Sequence, residues 1–366
     1  MTGMVRVREG VGVTGIGDET AERLRVSGLD PAAVVRAVRA ALDEDFRYGP
    51  DVTSTATVAG RMVTADVVAR EAGVLAGIPV ALAVLDLMAE YLDGGVTGGE
   101  RRMAGERRMA GTVLAVDGQR VGAGDAVLRV SGPAPAVLGA ERTMLNFLTH
   151  LSGIATATRA WADAIAGTGA VVRDTRKTTP GLRVLEKYAV RCGGGRNHRM
   201  GLGDAALIKD NHVAAAGGVA AAVMAVRAEA ARSEAARSEA AGPEAAGPEA
   251  AGPEAAGPEA AGPGKAGPEA GGGLVIEIEC DSVAQVREAL GAGARFLLLD
   301  NMPVGALREA VAVARGYDGV RLEASGGLRL AGAREVAETG VDFLSVGALT
   351  HSSRALDLGL DFAAAD

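Results

Sequence analysis

Residues 173–190 read RDTRKTTPGLRVLEKYAV, and this stretch decides the expected fold. The apolar residues 171–172 lead into it, a Pro-Gly pair interrupts it, and apolar residues at helical spacing follow. A short strand that ends in charged residues and is followed at once by a helix is how an α/β barrel presents catalytic groups at its mouth. The adjacent cations Arg176 and Lys177 suit a substrate with more than one negative charge. The stretch therefore predicts an anion-binding active site.

The same pattern of a strand followed by a helix recurs along the C-terminal half of the chain. A long helix is predicted at 135–166, and short apolar runs then alternate with amphipathic stretches. The runs are 171–172, 205–208, 274–278, 296–299, 320–322 and 343–346. Such alternation predicts a parallel sheet whose right-handed crossovers close it into a barrel.

Charged or glycine-rich residues follow the later runs, where barrel enzymes place their active sites. They are Lys209, Glu279, Asp300, Glu323 with Ser325-Gly326-Gly327, and Gly347-Ala348. The glycine-rich turns precede predicted helix starts, where free backbone N–H groups bind phosphate. The two acids Glu279 and Asp300 are able to position a divalent metal ion or sugar hydroxyls. We therefore infer two ligands, a multiply charged organic anion and a phosphorylated sugar.

The N-terminal half has a different pattern. Asp30 followed by proline predicts a helix start, residues 62–70 alternate like a strand, and residues 79–92 are spaced like a helix. This mixture predicts a smaller domain of helices and antiparallel strands. We expect it to span 29–140 together with 355–366, to follow a loosely ordered segment at 1–28, and to adjoin a barrel domain at 141–354.

Two tracts are repetitive. Residues 99–110 contain the hexapeptide GERRMA twice, which we interpret as a duplicated surface turn rather than a phosphate-binding patch. Residues 231–270 are eight pentapeptides that begin as ARSEA and become AGPEA. Repeated proline prevents a continuous helix, and the tract has no large apolar residue to bury. We therefore predict that 229–272 form a disordered insertion within the barrel domain, a length that costs the fold little loop entropy.

Composition limits the class of protein. The chain has 366 residues, 48% of them hydrophobic and 3% aromatic, and a formal net charge of -8. This charge argues against nonspecific binding to nucleic acid. No apolar run approaches the roughly 18 residues of a membrane span and no secretory leader opens the chain, so we expect a cytoplasmic protein without a membrane partner. Cys192 and Cys280 are too few for a disulfide framework.

Several longer motifs resemble the quinolinate phosphoribosyltransferase family. They are RDTRKTTPGLRVLEKYAVRCGGGRNHRMGLGDAALIKDNH (173–212), ERTMLNFLTHLSGIATATRAW (141–161), IEIECDS (276–282), LLLDNM (297–302), EASGGL (323–328) and GVDFLSVGALTHS (340–352). The resemblance implies an α/β fold with an N-terminal α/β sandwich and a seven-stranded α/β barrel. Since the residues suggest six barrel strands, the seventh is expected at 194–202 or in the C-terminal segment.

The resemblance also implies an activity. The family condenses quinolinate with phosphoribosyl pyrophosphate in the presence of Mg2+, and it releases nicotinate mononucleotide, pyrophosphate and CO2 in NAD biosynthesis. Members are homodimers or higher homo-oligomers with shared active sites, and the counterpart of Arg142 reaches the neighbouring subunit's site.

Carried over residue by residue, the resemblance assigns roles to the charged positions. The expected contacts to quinolinate and pyrophosphate are Arg142, Thr175, Arg176, Lys177, His198, Arg199 and Lys209. Glu279 and Asp300 are expected to contact the ribose and to hold Mg2+, directly or through water or substrate, and with Lys177 they are the expected catalytic residues. The expected 5′-phosphate cradle consists of Ser325, Gly326, Gly327, Gly347 and Ala348.

Two alternatives remain at this point. One is a related phosphoribosyltransferase that uses nicotinate or another base, although the presence of Arg142, Arg176 and Arg199 favours a dianion. The other is a non-catalytic descendant that acts through its repeat tract, although the matched charged positions are all intact.

Overall fold

The structure is a computed structural model that describes residues 15–92, 109–241 and 274–362, with the backbone alone at 234–241. The first GERRMA copy, most of the second, and the AGPEA repeats lie outside the described residues. Two compact units make up the described chain. One contains the described residues of Met1–Ala160, Lys177–Arg196 and Gly347–Asp366, and the other those of Trp161–Arg176 and Asn197–Val346.

The described helices, in chain order, are Asp18–Val26 (α1), Pro31–Asp45 (α2), Val52–Thr57 (α3), Ile78–Leu92 (α4), Ala134–Ala164 (α5), Arg183–Cys192 (α6), Asp210–Ala216 (α7), Val219–Ala241 (α8), Val283–Gly291 (α9), Val304–Ala314 (α10), Ala333–Ala337 (α11) and Ala348–His351 (α12). The described strands are Met62–Ala69 (β1), Gly73–Val74 (β2), Ala110–Val113 (β3), Arg120–Val121 (β4), Ala126–Pro133 (β5), Val171–Arg173 (β6), Ala205–Ile208 (β7), Val275–Cys280 (β8), Phe296–Asp300 (β9), Arg321–Ser325 (β10), Phe343–Ser345 (β11) and Leu358–Phe362 (β12).

The first unit contains an antiparallel sheet in the order β12-β1-β5-β3. Strand β1 alternates between buried and partly exposed residues, so Ala65, Val67 and Ala69 are fully buried on one face. Ala65 pairs with Val130 of β5 on one side and with Phe362 of β12 on the other. The C-terminal strand β12 thus lies in the same sheet as β1.

Helix α2 begins where the sequence predicts. The Asp30 carboxylate caps it by accepting the backbone N–H groups of Ala32 at 3.0 Å and Ala33 at 3.2 Å. Val38 and Leu42, one turn apart, are fully buried. The predicted helix start at Asp30 is confirmed.

The expectation that residues 1–28 are loosely ordered is wrong for Asp18–Val26, which form α1. Ala21 and Leu24 give this short helix a buried face. Its first turn is acidic and its last turn is basic, an arrangement that complements the helix dipole. Because α1 contains few large apolar residues, its sequence shows no clear amphipathic pattern.

The second unit contains a parallel sheet in the order β6-β11-β10-β9-β8-β7. Leu297 and Leu299 of the central strand β9 are fully buried, as expected of a strand in a parallel sheet covered by helices. With helices and an antiparallel sheet in one unit and helices and a parallel sheet in the other, the structure confirms the predicted α/β fold class.

The parallel sheet has six strands within the described residues, whereas the family resemblance implies seven. Residues 194–202 contain only an isolated bridge residue at Arg196. The backbone N–H of His198 is donated to the Asp174 carboxylate, and those of Met200 and Gly201 to the Asp204 carboxylate. These amides are therefore not available to a strand ladder. The C-terminal segment, the other place expected for a seventh strand, lies in the antiparallel sheet.

The predicted disordered insertion at 229–272 is wrong for residues 229–241, which continue α8. The ARSEA copies consist mainly of strong helix formers, and Glu229 pairs with Arg232 one turn later. The helix ends at Ala241, and the next residues in the sequence are glycine and proline. Proline disfavours a helical conformation in the residue before it and cannot itself continue a helix.

The amphipathic stretch that follows β7 is divided into the two helices α7 and α8. Gly217 and Gly218 separate the two with positive φ angles of 86° and 135°, which glycine adopts without steric cost. Among the described residues, no single helix is long and apolar enough to cross a membrane. The bent pair Asp210–Ala216 and Val219–Ser233 meets the length and composition criteria together.

The compact units do not follow the predicted domain boundaries. Helix α5 is continuous across the expected boundary at 140–141, and its residues up to Ala160 belong to the first unit. Ser152 of this helix donates to the carbonyl oxygen of Ala76 and accepts its N–H. The domain boundaries 29–140 and 141–354 therefore remain a prediction. In the structure, residues 141–160 belong to the first unit.

Candidate active site

The register of the parallel sheet brings polar side chains of the second unit onto one face. Residues two apart in a strand share a face, so Glu277 and Glu279 of β8 point the same way. Glu279 and Glu323 both align with the same residue of β9. Ser325 aligns with Asp300 at the C-terminal ends of β10 and β9. Burial divides these side chains into two sets: Glu277 and Glu323 are buried and are called the buried layer, whereas Glu279, Asp300 and Ser325 are partly exposed and are called the outer layer.

The buried layer is centred on Glu323, whose side chain is fully buried. Arg173, at the end of β6, donates Nη1 to Glu323 Oε2 over 2.5 Å. The Ser345 hydroxyl donates to Glu323 Oε1. The Arg173 guanidinium also lies 4.7 Å from the ring centre of Phe343 and 5.3 Å from that of Phe296. Glu323 therefore has a charged partner and a hydroxyl partner, which buried carboxylates require.

His198 joins this layer through both ring nitrogens. Its Nε2 lies 3.0 Å from Glu277 Oε2 and 3.5 Å from Glu323 Oε1. Its Nδ1 accepts the backbone N–H of Arg199 over 2.7 Å. A ring nitrogen that accepts a hydrogen bond carries no proton, so this geometry places a ring proton on Nε2, which faces Glu277.

Asp174 connects two loops of the second unit through hydrogen bonds. It is fully buried, and its Oδ1 accepts the backbone N–H of His198 over 2.9 Å. Its Oδ2 accepts the side-chain amide of Asn197 over 2.5 Å. Arg173 Nη2 donates to the carbonyl oxygen of Asn197 over 3.4 Å. The loop that carries Arg176 is thereby connected to the loop that carries Arg199.

The positive charge of Arg176, on one of these loops, acts on Arg199, on the other. Burial, and after it the positive charge of Arg176, lowers the pKa of Arg199 from its usual range. Arg199 Nη1 donates to the carbonyl oxygen of Ala205 over 3.0 Å, which fixes one end of its guanidinium. Two guanidinium groups held near each other form a site for a ligand with two negative charges.

The buried acids hold protons more tightly than free carboxyl groups do. Burial raises the pKa of Glu277 to about 7, although the charges of Arg173 and Arg199 act in the opposite direction. Burial and the neighbouring Glu277 raise the pKa of Glu323 as well.

His198, Glu277 and Glu323 bring three ligand atoms within 4.8 Å of one another, a spacing that suits a metal ion. Their hydrogen bonds do not suit one. His198 Nε2 carries the ring proton, and Arg173 and Ser345 already donate to the two oxygens of Glu323. We therefore interpret this cluster as a hydrogen-bonded network.

The outer layer contains the acids that the sequence singled out. Lys209 Nζ lies 2.9 Å from Glu279 Oε2, with the lysine half exposed and the acid largely buried. Asp300 Oδ2 accepts the side-chain amide of Asn301 over 2.6 Å. The carboxylates of Glu279 and Asp300 offer the hard oxygen donors that Mg2+ prefers, from the ends of neighbouring strands.

The turn after β10 approaches Asn301 closely. Gly326 has a φ of +87°, and a Cβ atom added there would meet the Asn301 side chain and lie 2.7 Å from its backbone nitrogen. Gly327, with a φ of +58°, has only the Asn301 side chain within reach, at 3.8 Å. Gly326 is therefore needed for both its backbone conformation and its lack of a side chain.

Four expected site residues belong to the first unit. Arg142, in α5, is exposed and lines a cavity of about 310 Å³ together with Phe46, Asp51 and Leu138. Lys177 directly follows Arg176 where the chain passes from the second unit to the first. Gly347 and Ala348 are the N-cap and first residue of α12. Thr175 and Arg176 are partly buried in the second unit.

The sequence analysis missed most of the buried layer. Arg173, Asp174, Glu277 and Ser345 had no role assigned, and Glu323 was named only among the residues that follow a predicted strand. One available signal was the alternation IEIE at 276–279, which puts both glutamates on the same face of a strand. The pairing of Arg173 with Glu323 had no such signal, because it depends on the order of strands in the sheet.

Comparisons with known proteins agree with this architecture. The N-terminal domain of quinolinate phosphoribosyl transferase matches residues 51–152, and its C-terminal domain matches 154–245 and 266–361. The nicotinate-nucleotide pyrophosphorylase [carboxylating] of Mycobacterium leprae is 47% identical over 328 residues, which cover 88% of this chain and 95% of that protein. A probable enzyme of the same name from Bacillus subtilis is 33% identical over 87% of this chain and 89% of its own length.

A solved structure extends the comparison to three dimensions. The nicotinate-nucleotide pyrophosphorylase from Francisella tularensis matches with a TM-score of 0.71 and 32% sequence identity, covering 92% of this chain and 99% of that chain. Both family domains are thus matched in sequence, and a solved structure of a relative matches 92% of this chain. The chain belongs to the quinolinate phosphoribosyltransferase family.

Proposed function

We propose that the protein transfers the phosphoribosyl group of phosphoribosyl pyrophosphate to quinolinate and releases CO2. The products are nicotinate mononucleotide and pyrophosphate, and the reaction belongs to NAD biosynthesis. One observation carries the choice of substrate: Arg176 and Arg199 stand near each other on two loops that Asp174 ties together. Quinolinate carries two adjacent carboxylates, and each matches a guanidinium fork.

The transfer step requires the stabilisation of two developing charges. The ribose C1 becomes positive as pyrophosphate departs, and carboxylates beside it stabilise that charge. Glu279 and Asp300 are the proposed acids, and they would also hold Mg2+ directly or through water or substrate. When bound, Mg2+ neutralises charge on the departing pyrophosphate. Lys209, which pairs with Glu279, and Lys177 supply further positive charge.

The decarboxylation step requires fewer protein groups than the transfer step. Once its ring nitrogen carries the ribose, the pyridine ring is cationic and stabilises the electron pair left on C2 when the 2-carboxylate departs as CO2. C2 then takes up a proton from solvent, which gives nicotinate mononucleotide. The site must hold the dianion without protonating it. Arginine suits this role because its guanidinium does not give up its proton in proteins.

The 5′-phosphate of the sugar is assigned to the turn formed by Ser325, Gly326 and Gly327, with Gly347 and Ala348. The first three residues follow β10 at the C-terminal edge of the parallel sheet, where α/β barrels commonly bind phosphate. The absence of side chains at the glycines lets the backbone N–H groups approach a phosphate closely.

We further propose a cytoplasmic homodimer or higher homo-oligomer with shared active sites, in which Arg142 serves the neighbouring subunit's site. The exposure of Arg142 at the edge of a cavity supports this assignment. Neither a nucleic-acid partner nor a membrane partner is proposed, since the formal net charge of -8 would repel both a polyanion and an anionic lipid surface.

The deciding experiment compares two bases that differ by one carboxylate. Purified protein is supplied with phosphoribosyl pyrophosphate, Mg2+ and either quinolinate or nicotinate, and nicotinate mononucleotide and CO2 are measured. We expect product and CO2 from quinolinate, with activity lost when Mg2+ is chelated. Product from nicotinate but none from quinolinate would assign the protein to the related nicotinate-dependent reaction instead.

A further inference from the structure

The loop that carries Lys177 lies outside the helices and strands. Residues 174–182 connect β6 to α6 and belong to neither a helix nor a strand. Lys177 is exposed, and a lysine is a point charge on a flexible stem of four carbons. Where its ammonium group can reach therefore depends on how the backbone of this loop is held.

Glu186 holds this backbone from the first turn of α6. Its Oε2 accepts the backbone N–H of Thr179 over 3.1 Å. Helical side chains point back towards the N-terminus of their helix, which lets Glu186 reach a residue seven positions earlier. The carboxylate is also favoured by the positive end of the helix dipole. A fully buried acid of α6 thus fixes the chain two residues after Lys177.

His150 of α5 contacts the second oxygen of Glu186. His150 Nε2 lies 2.9 Å from Glu186 Oε1, and the histidine is partly exposed while the acid is buried. Because an ionised carboxylate can only accept hydrogen bonds, Nε2 is the donor. A buried carboxylate requires donors at its oxygens, and the His150 ring and the Thr179 N–H each supply one. Glu186 is therefore oriented by α5 and in turn fixes the loop.

We propose that Glu186, oriented by His150, is a positioning residue that holds residues 177–179 and so places the Lys177 ammonium for the phosphate groups of the substrate. The inference rests on the proposed function, because it treats Lys177 as a group that neutralises charge on the departing pyrophosphate. In this role Glu186 acts through Lys177 and does not contact the substrate. His150, Lys177, Thr179 and Glu186 all belong to the first unit.

Two further contacts hold the same segment. Arg183 Nε donates to the Thr178 hydroxyl over 3.0 Å, and the Thr350 hydroxyl donates to the carbonyl oxygen of Lys177. Residues 177, 178 and 179 thus each have a side-chain partner from a neighbouring helix. When Glu186 alone is changed, we expect the loop to stay in place but to move more freely. Such freedom would reduce catalysis without unfolding the protein, because a catalytic group must be held in a narrow range of positions.

Matched substitutions separate the hydrogen bonds of Glu186 from its packing. Glu186→Gln keeps an oxygen for the Thr179 N–H and offers its amide N–H to His150, whose ring proton can move to Nδ1. Glu186→Leu fills a similar volume and keeps neither hydrogen bond. His150→Gln keeps a donor near the place of Nε2, whereas His150→Leu removes it.

The kinetic readout is kcat/KM for phosphoribosyl pyrophosphate at saturating quinolinate. We expect it to fall by about tenfold or more in Glu186→Leu and to stay within about threefold of the wild type in Glu186→Gln. The same order is expected at His150, with a smaller loss in His150→Leu because the bond from Thr179 to Glu186 remains. A Glu186→Leu variant as active as Glu186→Gln would overturn the inference.

A double-mutant cycle with Lys177→Ala distinguishes positioning from general support of the fold. If Glu186 acts through Lys177, Glu186→Leu lowers kcat/KM by less than about threefold in the Lys177→Ala background, although it costs about tenfold or more alone. An undiminished loss in that background would show that Glu186 supports the fold in general, and it would overturn the inference.

A measurement on the unaltered protein covers the case in which the leucine variants fold poorly. Amide hydrogen exchange is followed by NMR on protein with isotope-labelled threonine, and the Thr179 signal is identified by its loss in Thr179→Ser. Because the Thr179 N–H is bonded to Glu186, we expect it to exchange about tenfold or more slowly than in an unstructured peptide. An unprotected Thr179 amide would overturn the inference.

The two proposals fail differently. If quinolinate is not consumed but the Thr179 amide is protected, the proposed function fails and the contact of Glu186 with the loop stands. If quinolinate is consumed but the loss caused by Glu186→Leu is undiminished in the Lys177→Ala background, the positioning role fails and the proposed function stands.

Discussion

Thr350 donates its side-chain hydroxyl to the backbone carbonyl oxygen of Lys177 over 2.7 Å. Thr350 is 2% exposed and lies in α12, two residues after Ala348 of the Gly347-Ala348 pair assigned to phosphate binding. The same hydroxyl lies 3.1 Å from the carbonyl oxygen of Gly347. One buried hydroxyl thus connects the backbone of the proposed catalytic lysine with the proposed phosphate turn, within the first unit.

Thr350→Val should therefore reduce both stability and activity. Valine has nearly the shape of threonine but cannot donate to the Lys177 carbonyl, and loss of a buried partner costs about 1–3 kcal/mol. We expect the free energy of unfolding to fall by this amount and kcat/KM to fall with it, as measured by urea unfolding and steady-state kinetics. Thr350→Ser keeps the hydroxyl and is the matched control. A valine variant as stable and active as the serine variant would show that this hydrogen bond is unimportant.

Gly326→Ala should weaken the binding of phosphoribosyl pyrophosphate. The new Cβ would collide with the backbone of Asn301 and force a left-handed conformation on alanine, so the turn must move. We expect the KM for phosphoribosyl pyrophosphate to rise by about tenfold or more, with a smaller effect on the KM for quinolinate. Gly327→Ala carries conformational strain without that collision and should cost about 1–2 kcal/mol of stability at most. Equal KM values for the two variants would contradict the close-approach argument.

Arg176→Ala tests the two-arginine site. We expect kcat/KM for quinolinate to fall more than about tenfold, equivalent to about 1.4 kcal/mol, because one carboxylate loses its guanidinium partner. Arg176→Lys keeps the charge but not the fork, and should recover only part of the loss. The variants are compared at saturating phosphoribosyl pyrophosphate. A loss smaller than tenfold in the alanine variant would remove Arg176 from the substrate site.

The outer layer of the site was predictable and the buried layer was not, for a physical reason. Glu279 and Asp300 each follow an apolar run in the sequence, so their position at the end of a strand is predictable. Arg173 and Glu323 are 150 residues apart, and they meet only because β11 lies between β6 and β10 in the sheet. Local sequence carries no signal for that strand order, since it results from the packing of the whole unit.

A similar distinction applies to the repeat tract. The rule that proline stops a helix predicts that α8 does not continue far beyond Ala241, since a Gly-Pro pair follows in the sequence. Applied to the whole tract, including ARSEA copies that contain no proline, the same rule produced the wrong expectation for 231–241. Helix propensity decides the structure of those copies.

Stability should depend on pH through Glu277. Burial raises its pKa from 4.5 to about 7 in the folded protein, so the folded state binds this proton more tightly than the unfolded chain. The contribution of Glu277 to the free energy of unfolding therefore falls as pH rises from about 4.5 to about 7, by about 3 kcal/mol, and is level above that range.

Glu277→Gln removes this contribution and keeps an oxygen that accepts from His198. We expect the wild type to lose stability relative to the glutamine variant across that pH range, as measured by denaturant unfolding at each pH. Because Glu277 also raises the pKa of Glu323, the difference between the two curves includes the effect of the substitution on Glu323. Parallel stability curves for the two proteins would show that Glu277 does not titrate with a raised pKa.

Deletion of residues 246–265 should leave turnover and melting temperature nearly unchanged. This segment is the part of the repeat tract that lies between the two matched pieces of the family's C-terminal domain, and it begins beyond the end of α8. A deletion of equal length at 219–238 is the contrast, because it removes the fully buried Val223 and Arg227, which donates to the carbonyl oxygen of Ala292. The contrast deletion should lose soluble yield and melt at lower temperature. If the 246–265 deletion loses yield or kcat to the same extent, this part of the tract contributes to the fold.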